Sequence, residues 1–146
     1  MKRLSLLLVL SMLGVLVAAP SVQAAESSPF AGAWTATDPV NPGDGSTLYL
    51  TISGGTTVNI TFIDAYGTIC TNADFGYDSP TNWFSSRLTG SVSDDTLVAS
   101  YVSARCGPLV FDVSEWGEAT WTYDSATDTL FTDNPEPFTD TTWYRH

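Results

Sequence analysis

Beyond Lys2 the 146-residue chain contains no lysine, and past Arg3 only Arg87, Arg105 and Arg145 carry positive charge, against 16 Asp and Glu. Nucleic acids and anionic lipid surfaces bind through clustered Lys and Arg, so both are excluded as partners by this charge balance. The single histidine is the last residue, His146, and there are two cysteines, Cys70 and Cys106. Ser-His and Cys-His catalysis need an imidazole held beside a nucleophile, and a His in the last position is expected to fray. Two cysteines without neighbouring histidines also make a poor zinc site. No phosphate-binding loop or dinucleotide fingerprint is present, so no cofactor is expected. A glycosidase-type carboxylate pair cannot be singled out among so many acids. The expectation is a non-enzymatic protein.

Helical periodicity and long apolar runs are both missing after the first two dozen residues. Those leading residues comprise a positive start, Met1-Lys2-Arg3, an apolar run from Leu4 to Ala19, and a small-residue site at Val22-Gln23-Ala24. This pattern predicts a secretory signal peptide over residues 1–24, cut after Ala24, and a single all-β domain over 25–146. Lys2 and Arg3 leave with it, so three basic residues against sixteen acidic ones give the remaining domain a net charge of −13. Such acidity serves solubility. The implied location is secreted, extracellular or periplasmic, with no membrane insertion after cleavage. In that oxidising setting Cys70 and Cys106 are expected to form one disulfide, closing a loop of about 37 residues and contributing about 4 kcal/mol.

The domain itself consists of short runs rich in Thr, Val, Ile and aromatics, separated by Gly, Pro, Asn, Asp and Ser. Strands are predicted at 34–37, 47–53, 57–63, 84–90, 96–106, 109–116, 119–124, 129–133 and 141–145. Alternation sends Leu48, Leu50 and Ile52 to one face, and Val58, Ile60 and Phe62 to the matching face of the next strand. The intervening Ser53-Gly54-Gly55-Thr56 reads as a hairpin turn. Further turns fall at Ser93-Asp94-Asp95 and at 124–129. The fold class is an antiparallel meander of about eight strands, closed as a β-barrel or folded as a β-sandwich.

Phe30-Ala31-Gly32-Ala33-Trp34 at one end and Trp143-Tyr144-Arg145 at the other resemble the calycin pattern of lipocalins, avidin-type proteins and small periplasmic protease inhibitors. The resemblance implies a closed barrel in which Gly32 permits close approach, Trp34 plugs one end and Arg145 covers its indole. It implies fold and leaves function to the site.

Three groups of residues are candidates for function. Phe75, Tyr77 and Trp83 lie in the long connection after Cys70, where they either stack on a ligand or fold back as part of the core. Alternation from Leu97, Ala99 and Tyr101 sends Arg105 inward, and alternation from Leu109 and Phe111 does the same for Glu115. The competing reading is that alternation slips near Cys106 and both charges face water, which the sidedness of Val98 and Val102 favours. Asp38, Asn41, Asp44 and Ser46, and a second group of Asn72, Asp74 and Asp78, offer oxygen ligands for calcium, but their spacing equally suits a tight turn before a strand. Two functions are expected from these groups. One is a binding barrel for a small apolar or amphipathic ligand, with Tyr101, Arg105, Glu115 and the aromatic loop around its mouth. The other is an interaction module that docks protein or glycan through its loops, protease inhibition included. The large inward side chains look sufficient to fill the barrel, which weighs slightly against a large pocket.

Overall fold

Alternation between apolar and polar residues gives each strand one apolar face, which a sheet buries against a second sheet or by curling back on itself; here it curls. The computed structural model describes residues 27–39, 47–67, 70, 82–132 and 140–146. The expected signal segment and the candidates Asn41, Asp44, Ser46, Asn72, Asp74, Phe75, Tyr77 and Asp78 lie outside the described residues. Among the described residues nine strands are formed: β1 (Gly32–Thr37), β2 (Thr47–Gly54), β3 (Thr57–Asp64), β4 (Phe84–Ser93), β5 (Thr96–Cys106), β6 (Leu109–Phe111), β7 (Glu118–Asp124), β8 (Thr129–Thr132) and β9 (Thr141–Arg145). Every pairing is antiparallel, in the order β4-β3-β2-β1-β9-β8-β7-β5-β6, and a further β4–β5 pairing closes eight of them into a barrel. A closed barrel has no free edge to recruit another strand.

Leu48, Leu50 and Ile52 of β2, Val58 and Ile60 of β3, Leu97 of β5, Trp121 of β7 and Trp143 of β9 are all buried, as alternation predicts. Each aliphatic side chain taken wholly from water contributes about 1.5–3 kcal/mol. Phe62 and Trp143 stand on strands that are not neighbours, yet their rings meet edge to face at 6.0 Å. Their contact therefore crosses the barrel interior.

Two departures from simple alternation decide which charged side chains reach the interior. On β5 the register shifts: Arg87 faces Ser103 but Leu88 faces Tyr101, so Val102 is an extra residue with no partner on β4. The inward set runs Leu97, Ala99, Tyr101 below this bulge and Ala104, Cys106 above it. One inserted residue exchanges the two faces of everything beyond it. Arg105 thus faces water, and the reading that sent it into the barrel is corrected. The slip occurs at Val102, in mid-strand, earlier than the strand end where it was expected.

The second departure is β6, which stops at Phe111 instead of reaching residue 116. The Asp112 carboxylate accepts from the Ser114 amide at 3.0 Å, and the Trp116 amide donates to the Val113 carbonyl at 3.1 Å. This turn places Glu115 on the exposed surface, away from the interior, which corrects its inward placement as well. β6 pairs with Ala104–Cys106 and β7 with Thr96–Ser100, so the two lie end to end along β5, like one strand interrupted at residues 112–117.

Candidate open-end site

The meander sends its strand-to-strand connections to two ends. The hairpins after β2, β4 and β7 meet at one end. The connections at 38–46, 65–83 and 133–140 and the short β5–β6 turn at Gly107-Pro108 leave from the other, and the 112–117 interruption falls partway along the wall.

The first end is shut. Arg145 Cζ sits 4.0 Å from the centroid of the Trp34 ring. Its Nη1 donates to the Ala31 carbonyl at 2.9 Å, its Nη2 to the Pro29 carbonyl at 2.8 Å, and its Nε to Asp128 at 2.8 Å. A Cβ on Gly32, whose φ is +145°, would come within 2.7 Å of Arg145 Nη1, so glycine is required for this approach. Trp34 Nε1 donates to the Phe30 carbonyl at 2.8 Å, and Tyr123 packs against both Phe30 and Trp34. Asp128 is held below its ordinary range, first by the hydrogen bond from Arg145 and also by one from Tyr123.

The other end is built differently. A disulfide joins Cys70 to Cys106, with both cysteines fully buried among Phe84, Ala104 and Phe111. Phe62, Phe84, Phe111, Trp116 and Tyr101 form a chain of ring contacts: Phe84 meets Phe62 at 5.9 Å, Trp116 stacks on Phe84 at 6.5 Å, and Tyr101 meets Trp116 edge to face at 5.0 Å. Trp116 comes from the interruption between β6 and β7, opposite the stretch of β5 that neither strand pairs. Burial raises the Tyr101 phenol above its ordinary value.

Two polar groups stand out in the interior, Ser86 at the edge of this aromatic cluster and Trp121 in the core that also holds Trp34, Leu97 and Trp143. Ser86 Oγ and Trp121 Nε1 are buried and have no hydrogen-bond partner among the described residues. The other two core indoles are satisfied, Trp34 by Phe30 and Trp143 by the Thr132 hydroxyl at 2.8 Å. Ser86 lies directly opposite Phe62, and Trp121 directly opposite Thr132, so the two groups flank the Phe62–Trp143 crossing. A buried group left unpaired costs about 1–3 kcal/mol, and such groups in folded proteins call for water or a ligand.

Of the residues proposed from sequence, Tyr101 lies in this aromatic cluster. Trp83 is 48% exposed just before β4. Arg105 Nε donates to Ser85 Oγ on the outer surface at 3.4 Å. Asp38 is buried at the end of β1 and makes contacts of its own. Among the described residues no group of three or more His, Cys, Asp or Glu is arranged to hold a metal. Ser86 and Trp116 were not anticipated. Strict alternation from Phe84 to Leu88 carries the signal for Ser86, a hydroxyl between two inward apolar residues; Trp116 had none, since it depends on where β6 stops.

Comparison of the chain with protein-family models, with curated proteins and with solved structures finds no match in any of the three.

Proposed function

We propose that this is an exported, non-enzymatic binding barrel of calycin type that takes a small amphipathic ligand at its open end. The observation that carries this reading is a pair of buried groups without a hydrogen-bond partner among the described residues, Ser86 Oγ opposite Phe62 at the aromatic cluster and Trp121 Nε1 in the adjoining core with Trp143. An indole N–H is a donor only and a serine hydroxyl donates readily. The ligand therefore carries a hydrogen-bond acceptor, such as a carbonyl or hydroxyl oxygen, on an apolar body that packs against Phe62, Phe84, Tyr101 and Trp116. Few precisely placed polar groups in a largely apolar lining is the usual composition of a small-molecule site.

Native mass spectrometry of protein purified from its own secretion medium tests this, before and after mild unfolding. A bound small molecule that is lost on unfolding, and that binds several-fold more weakly to Ser86→Ala, is the expected result. An apo mass for protein that also takes up nothing from a lipid extract, with Ser86→Ala only raising stability, overturns it.

A second reading, docking of another protein or a glycan, is favoured by the outer wall. Tyr49 and Tyr144 are 45% and 59% exposed and stand on either side of Thr35 in the sheet. Tyr49→Ser with Tyr144→Ser, assayed for retention on cell-surface material, separates it from the ligand reading.

A further inference from the structure

The bulge at Val102 has a counterpart on the outside of the barrel. A surface cavity of about 410 Å³ is lined by Asn59, Thr61, Arg87, Thr89 and Val102, with Ile60 and Leu88 behind them. Arg87 faces Thr61 on one side and Ser103 on the other, and the register shift lies immediately beside it. Val102, pushed out by the bulge, is 60% exposed and supplies an apolar wall. Bulges recur beside active sites, where they re-aim a side chain.

The charges at this cavity stand out against the chain as a whole. With 16 acidic residues and a net charge of −11, an arginine here has ample carboxylates to choose from. Arg145 takes Asp128, whereas among the described residues Arg87 has no ion-pair or hydrogen-bond partner. The lining contains no carboxylate. The Asn59 carboxamide and the Thr61 hydroxyl, in the same lining, can donate to an anion, while the Thr89 hydroxyl donates to the Val58 carbonyl at 3.4 Å. A planar guanidinium binds a carboxylate through two parallel hydrogen bonds.

We propose that the outer cavity between β3, β4 and the β5 bulge is a second binding site, for a small monocarboxylate whose acid group pairs with Arg87 and whose apolar part rests on Val102. One cation within so negative a protein selects a single negative charge, because a polyanion or acidic peptide meets repulsion from the remaining surface. The volume lies within the range of small-molecule sites. This site is separate from the open end and stands whether or not the barrel interior takes a ligand.

The test is an amide NMR titration of the full folded chain with hexanoate, and with hexanol as the uncharged comparison. Hexanoate is expected to give saturable shifts at Thr61, Arg87, Thr89 and Val102 that weaken with added salt, while hexanol leaves these amides unmoved. Arg87→Gln, an exposed change that leaves the core intact, is expected to weaken hexanoate about tenfold or more, as loss of a charged hydrogen-bond partner does. Val102→Glu is expected to abolish binding by pairing with Arg87 itself. Equal shifts from hexanol, shifts unchanged in Arg87→Gln, or no saturable shift at these four residues would each overturn the site. Shifts confined to Ser86, Tyr101 and Trp121 would overturn it too, while supporting the open-end reading.

Discussion

The two ends of this barrel use similar residues to opposite effect. At the closed end an arginine, two aromatic side chains and an aspartate satisfy one another completely: Trp34 donates to Phe30, Arg145 donates to two carbonyls and to Asp128, and Tyr123 donates to Asp128. At the other end the aromatics pack on one another, and Ser86 there and Trp121 in the adjoining core have no hydrogen-bond partner among the described residues. Short hairpins at the closed end set these donors against nearby acceptors, whereas at the other end the described residues are held by the Cys70–Cys106 disulfide and by ring packing.

This contrast can be broken at either end. The largest effect is expected from Cys70→Ser with Cys106→Ser, which frees a loop whose ends are 36 residues apart in sequence. Loss of about 4 kcal/mol, measured by denaturant unfolding, is expected from chain entropy. Hydrogen exchange is expected to rise first in β4, upper β5 and β6, while β1 and β9 stay protected; equal loss at both ends would erase the distinction. Next is Arg145→Ala at the closed end. Two carbonyl hydrogen bonds and the cation–π contact together suggest a loss on the order of 2–3 kcal/mol, the exposed pair with Asp128 adding little. Here protection is expected to fail around Gly32–Trp34 and spare the disulfide region.

The smallest effect is that of pH. Asp128 and Asp124, both at the closed end, are held below their ordinary range, Asp128 chiefly by Arg145 and Asp124 chiefly by the Thr127 hydroxyl. A carboxylate depressed on folding contributes stability that is present above its unfolded value, near pH 4, and is lost as the pH falls through the folded one. Asp112 in the β6–β7 turn is lowered too, by the Ser114 hydrogen bonds, so acid also loosens that turn. Tyr101 has the opposite sign: burial raises its phenol, so its contribution is lost as the pH rises above about 10. Thermal melts at pH 3 and pH 10.5 are expected to fall below that at pH 7, with Asp128→Asn shrinking the acid loss and Tyr101→Phe the alkaline one. If neither variant changes its limb, these groups do not govern the pH dependence of the two ends.

Much of this architecture is legible in the residues taken alone. Leu48-Leu50-Ile52 and Val58-Ile60-Phe62 alternate without interruption, and Gly54 lies where the chain turns at a φ of +124° with the Thr57 carbonyl where a side chain would be. The Gly32-x-Trp34 pattern and Arg145 become a single contact because both sit on strands whose order the meander dictates. Arg105 and Glu115 were legible only as two alternatives, of which the water-facing one favoured by Val98 and Val102 holds; where alternation breaks was not legible, since a strand carries its sidedness only as a count of residues, and the bulge at Val102 and the turn held by Asp112 each change the count.

The sequence by itself thus determined most of the strands, the inward residues of β2 and β3 and the pairing of the two cysteines, because these depend on local alternation and on there being only two thiols, while the closure of one end came from the resemblance carried by Gly32, Trp34 and Arg145. Only the tertiary structure decided that the connections at 38–46, 65–83 and 133–140 share one end, that Ser86 and Trp121 flank the Phe62–Trp143 crossing, and that Arg87 lies beside an outward Val102. These depend on how strands wrap round a closed barrel and on a register shift between two of them, and both are properties of pairing that no single segment contains.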